Sequence, residues 1–241
     1  MEWSFRDMQR PMRWLRRVLF LMVAGDLVAL AADAYERHVL RQIIAHSFVD
    51  VETMRATAEL SDGLQRVTAV LRVLLLVVAY VIGGRWIILA GRNVRAFGAQ
   101  GLAVSPGWAV GWYFIPFANL IKPFQAMDET WRASASAANW RQVATPTLLR
   151  FWWGCWLVVG VLGNASMRFA LRAKELDQLL LANAVGIASE IADIALCLAF
   201  AAVAVRVTAM QGQQWLSGAI PAPLDGPAMA PVAGPAAPLT S

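Results

Sequence analysis

At 241 residues the chain is 59% hydrophobic and only 15% charged, where a soluble domain carries about 25% charge, so most of it belongs in lipid. Its net charge of +5 raises the question of nucleic acid, but the basic residues sit at the edges of apolar runs, as at the inner ends of membrane helices, and no groove-reading motif accompanies them. The two cysteines, Cys155 and Cys197, fall inside apolar runs without metal-ligand spacing or a disulfide pattern, and read as small packing residues.

Residues 1–17 form a basic, interfacial N-terminus: Arg6, Arg10, Arg13, Arg16 and Arg17 with Trp3, Phe5 and Trp14, whose rings suit the headgroup level. The apolar run 18–34 follows and predicts a first membrane helix. A cleaved signal peptide is the rival reading, since Ala29-Leu30-Ala31 resembles a cleavage site; Asp26 inside the core argues against it. Residues 35–66 read as a charged helical connector on the outer side. The second span is expected at 67–90, with Arg85, Arg92 and Arg95 marking its inner end.

The stretch 106–138 is an apolar run that interrupts itself. Proline lacks an N–H and clashes with the carbonyl one turn back, so Pro116 and Pro123 predict two breaks, and irregular backbone at membrane depth survives only where protein or water covers it. The segment from Ile115 to Lys122 therefore reads as a re-entrant or interfacial bend. After it, Phe124, Met127, Trp131 and Ala135 recur at helical spacing, which predicts an amphipathic helix on the inner surface or packed under the bundle. The third span is expected at 151–169, with Phe151, Trp152, Trp153 and Trp156 as an aromatic belt, and the last at 184–207. The remaining tryptophans likewise read as interface anchors. An Ala/Pro-rich tail, 212–241, cannot bury enough side chain to offset its ordering entropy and reads as disordered.

The central stretch also carries a resemblance. Trp108, Trp112, Pro116, Asn119, Pro123, Trp131, Arg132 and Ser134 follow the motif of the bacterial integral-membrane family catalogued as domain of unknown function 4328, and Arg92 to Gly98 and the Trp152–Trp153 pair also fit. The likeness runs from about the first hydrophobic segment to Gln211. It implies several membrane helices, no assigned activity and no catalytic residues to carry over.

Ionisable groups inside the spans are functional leads by default. Asp26 and Asp33 share one face of the first helix, Arg72 lies in the second, and Glu190 and Asp193 stand one turn apart on the last. Counting back from the outer helix ends puts Asp26, Arg72, Glu190 and Asp193 at similar depth, so an intramembrane polar cluster of Asp26, Asp33, Arg72, Glu190 and Asp193 is expected, with the alternative that Asp33 simply reaches the interface. Asn164 either joins it or bonds a neighbouring helix. One arginine cannot neutralise four carboxylates, which leaves the surplus protonated, hydrated or cation-bound. His38, His46 and Asp50 read as a solvated face, Gly83-Gly84 lacks the context of a phosphate loop, and Ser134 has no nearby histidine to make it a nucleophile.

The expected fold is therefore all-α: a polytopic membrane bundle of about four transmembrane helices spanning 18–211, plus the proline-broken element and the amphipathic helix. A fifth span through 107–120 would invert the later topology, but loop charges favour four, with both termini cytoplasmic in a bacterial inner membrane. The function expected is a non-enzymatic structural or interaction module with a buried polar core; the alternative is a small proton- or cation-coupled transporter or channel using the carboxylates. No cofactor or metal is called for. The expected partners are the lipid bilayer and other membrane proteins or further copies of the chain, not nucleic acid.

Overall fold

A computed structural model describes residues 3–218, and among them there are helices and no strands. Four helices are long: α1 (Gln9–Ile44), α2 (Val51–Ala96), α5 (Thr147–Arg172) and α6 (Leu176–Leu216). Each is long and apolar enough to cross a membrane. Two shorter helices, α3 (Trp108–Gly111) and α4 (Lys122–Ala135), lie between α2 and α5. The fold is thus an all-α helix bundle, and the four predicted spans fall inside longer helices. The 46 residues of α2 measure ~69 Å at 1.5 Å per residue, well beyond a hydrocarbon core of about 30 Å.

The connector read at 35–66 is not an element of its own. α1 runs on to Ile44, and α2 begins at Val51 under an Asp50 cap that accepts from the Thr53 amide at 2.6 Å. That bond and a second from the Thr53 hydroxyl at 3.1 Å hold the Asp50 carboxyl below its usual range. The projecting start of α2 carries Arg55–Glu59 and Asp62–Arg66 pairs one turn apart, while His38 and His46 are exposed.

The long helices pack as a row in the order α2–α1–α6–α5. α2 and α5 are its two edges and form no packed interface with each other. At one end of the row, residues 97–146 cross from α2 to α5 and the core is concentrated: Leu15, Trp86, Met127, Leu149, Val203 and Val207 are fully buried there. Towards the other end the helices present apolar side chains outward, among them Phe20, Val70, Val161 and Ile191.

The interrupted stretch breaks where its prolines predict. α3 gives way to a 3₁₀ turn at Trp112–Phe114, and a second turn at Ala118–Leu120 precedes α4. No part of 107–120 is long enough to cross a bilayer, so four membrane-length helices remain. Phe117 holds a φ of 64°, a left-handed conformation costly for any residue with a Cβ. Pro123 sits in the first turn of α4, where its missing N–H has no intrahelical partner to lose. α4 tucks under the bundle against α6 and α2. α3 approaches α2 closely: a Cβ on Gly84 would stand 3.3 Å from Val110.

Two further expectations are corrected. Trp152 and Trp153 do not belong to an interfacial belt but are buried, as are Trp86, Trp131 and Trp140; rings this large are the main filler of the inner core. α6 continues through Leu216, so 212–216 are helical and not the start of a tail. The rest of that Ala/Pro-rich segment, from residue 219, lies outside the described residues.

Candidate functional site

The charges within the membrane-length helices converge. Arg72 on α2 reaches between its neighbours and donates to Glu190 Oε1 of α6 at 2.7 Å, with its second terminal nitrogen 3.2 Å from Asp26 Oδ1 of α1. Asp26 is 1% exposed and Glu190 4%. Such burial demands pairing, because a charge in low dielectric is costly alone. Asp193 stands beside Asp26, with carboxylate oxygens within 4.8 Å of each other. Asp26 Oδ2 and Glu190 Oε2 accept no hydrogen bond among the described residues. Of the expected members, Asp26, Asp33, Arg72, Glu190 and Asp193 are brought together. Asn164 is not: it is exposed on α5 and turns back on its own helix, donating to Gly160 O at 2.8 Å.

The cluster also extends further than expected. Gln65 Nε2 donates to Asp33 Oδ1 at 2.8 Å and to Glu36 Oε2 at 3.2 Å, and Asn183 Nδ2 donates to Glu36 Oε2 and to the Asp33 carbonyl, both at 2.9 Å. Glu36, Gln65 and Asn183 carry the polar line from Asp26 toward the turns that join α1 to α2 and α5 to α6. A signal for them existed: Gln65 is seven residues before Arg72 and Asn183 seven before Glu190, the same spacing as Asp26 to Asp33, so each pair shares a helix face.

Beside the cluster, the gap between α2 and α5 encloses a groove of about 1070 Å³. α1 and α6 form its back and the bend closes one end with Val110, Tyr113, Asn119 and Leu120. Its walls are apolar and aromatic. Tyr113 meets Trp156 edge-on at 5.1 Å, and Trp152 stacks on Phe200 at 5.8 Å. Asp193 opens onto this groove, as do Asn164 and, near the turn after α5, Arg168. Asn119 also lines it, and among the described residues its side chain makes no hydrogen bond to the bend, contrary to what the freed backbone there invites. Arg168 was not singled out from the sequence; its position in the last turns of α5 makes it look like an interface arginine.

Asp26, Asp193 and Cys197 are a set whose potential ligand atoms lie within 4.8 Å of one another. Arg72, 3.2 Å from Asp26, competes with any metal for that carboxylate. The three therefore read as part of the charge cluster.

The motif residues gather at the opposite end, around a second polar knot. Asn93 and Gln211, both fully buried, bond each other at 3.0 Å. Gln211 also donates to Ser134 Oγ at 2.9 Å and to Ala90 O at 3.1 Å, and Ser134 in turn donates to Thr130 O. Arg132 donates to the carbonyls of Trp140 and Arg141, with its guanidinium 5.3 Å over the Trp140 ring. Trp131 is in the core, Pro123 starts α4, Pro116 forms the bend, and Trp108 packs on Trp112 with ring centroids 4.8 Å apart. Motif and knot together hold α2, α4 and α6 to the segment that crosses between them.

Fold and site define the class: an all-α bundle of four membrane-length helices with charge buried among them. The chain belongs to the family described as "Domain of unknown function (DUF4328)", which it matches over residues 50–209. That match starts where α1 has ended, later than the first hydrophobic segment from which the likeness was drawn. Arg72, Glu190 and Asp193 fall within it, and Asp26 and Asp33 do not. No curated protein and no solved structure matches the chain.

Proposed function

We propose that the chain is a non-enzymatic, multi-pass protein of the bacterial cytoplasmic membrane that works as an interaction module. Its buried cluster sets the long helices in the row that leaves the groove open to the bilayer. What carries this reading is that one side chain, Arg72 of α2, bonds Asp26 of α1 and Glu190 of α6 at once, fixing three helices in register. Its hydroxyl candidate, Ser134, is committed to Thr130 and Gln211, a structural use. The partners proposed are the bilayer and other membrane proteins or further copies of the chain. The test is a double-mutant cycle in one detergent: Arg72→Leu with Asp26→Asn and with Glu190→Gln. Non-additive stabilities support the register role; simple additivity at both carboxylates overturns it.

A second reading, proton or small-cation transfer, is favoured by the two carboxylate oxygens without hydrogen-bond partners and by the polar line to Glu36. Reconstituted in liposomes, the protein would then support a cation or proton flux that Glu190→Gln abolishes. Liposomes that stay as tight as empty ones count against it.

A further inference from the structure

We propose that the groove between α2 and α5 binds lipophilic cations, with Asp193 as their counter-charge and an aromatic box as their cage. The inference rests on the groove-forming reading above and adds the chemistry of the occupant.

Three observations carry it. First, Arg72 is spent elsewhere: its two terminal nitrogens are engaged by Asp26 and Glu190, and no ion pair to Asp193 forms among the described residues. Asp193 is the carboxylate of the cluster that lines the groove. Behind it, with a carboxylate oxygen within 4.8 Å, stands Asp26, whose Oδ2 accepts no hydrogen bond among the described residues. Second, the aromatic side chains lie at the same level. Asp193 is 18 residues past Glu175 and Trp156 is 17 before Ala173, the two ends of the turn joining α5 to α6. Trp156 is therefore level with Asp193, and Tyr113 packs edge-on against it. Ring faces beside a desolvated carboxylate attract a cation by both charge and quadrupole. Third, the one cation lining the groove among the described residues is remote. Arg168 is 5 residues before Ala173, which puts it ~20 Å nearer the turn than Asp193 at 1.5 Å per residue.

Size and access fit the same occupant. Pockets for compact organic ligands run from about 300 to 1000 Å³, and this one is about 1070 Å³. With α2 and α5 unpacked, its open side lies between two apolar helix faces, so the occupant arrives through the lipid. A small hydrated ion gains nothing from these walls, and an anion meets Asp193.

The experiment compares two ions of one shape and opposite charge. Radiolabelled tetraphenylphosphonium is bound to the immobilised full chain in detergent, with tetraphenylborate measured in parallel and empty micelles as background. Saturable binding of the cation alone is expected. Asp193→Asn should weaken it by about tenfold or more, and Trp156→Leu by about threefold to fivefold. Equal binding of both ions, no saturable binding, or an unchanged affinity in Asp193→Asn overturns the proposal. Should Asp193→Asn fail to fold, the wild-type ion comparison and Trp156→Leu still decide. The Arg72 cycle reports separately on the register role: additivity there with selective cation binding here sinks only the former, and the converse sinks only the latter.

Discussion

Arg72 is the residue whose removal should be felt most. Breaking a buried pair from one side leaves the partner charge uncompensated, at a cost of about 3–5 kcal/mol, and Arg72 leaves two carboxylates behind. Arg72→Leu should therefore lower the thermal midpoint sharply, and adding Glu190→Gln should recover part of the loss. Glu190→Gln alone should cost less, because glutamine still accepts from the guanidinium. The convergence was legible because charge in an apolar helix is rare and has to point inward; depth counted from the outer helix ends put Glu190 and Asp193 ahead of Asp26 as partners of Arg72, whereas the ion pairs form to Glu190 and Asp26. Asn164 was not legible. An asparagine can satisfy itself on its own helix one turn back, and sequence does not distinguish that from a bond across helices. Gln65 and Asn183 were overlooked since uncharged amides do not stand out just outside the expected spans, although their seven-residue spacing from Arg72 and Glu190 was there to be read.

At the level of elements, the bend and α4 were the most legible part of the chain, because proline acts on its own backbone irrespective of tertiary context. What α4 rests on was not. The Asn93–Gln211–Ser134 knot joins residues 118 and 77 positions apart, and such pairings leave no local trace. Truncating Gln211 to alanine removes the acceptor of Asn93 and the donor to Ser134 and Ala90 in a site with no exposure. The expected loss is about 2–4 kcal/mol, read as a lower unfolding midpoint in detergent, with proteolysis beginning in the 97–146 segment. A midpoint within a degree of the parent would show that the knot contributes nothing to seating α4. The buried tryptophans were misread for a related reason. Interfacial preference is a statistical property of tryptophan, whereas these rings fill the volume beneath the bundle.

At the scale of the molecule, four membrane-length helices place residues 3–8, 97–146 and 217–218 at one end of the bundle and the two short turns at the other. The first end carries Arg6, Arg10, Arg13, Arg16, Arg17, Lys122 and Arg141, the charge that supports the proposal of a cytoplasmic face there. A fluorescent protein that matures only in the cytoplasm, fused after Gly218, should be bright, and alkaline phosphatase at the same point should be silent. The reverse pattern would invert the orientation. Helix count was readable from hydropathy alone, while the order α2–α1–α6–α5 was not, since it is decided by which faces interlock.

For the proposed occupant, the unpacked edge between α2 and α5 would change what affinity means. A ligand that enters sideways is drawn from the hydrocarbon phase, so its effective concentration is the dose multiplied by its oil–water distribution ratio. Two compounds that fit the groove equally well would then differ in potency by the ratio of their solubilities in the acyl chains. Shortening an alkyl substituent that never touches the protein would still weaken apparent binding, and structure–activity trends taken in buffer would track lipophilicity before shape.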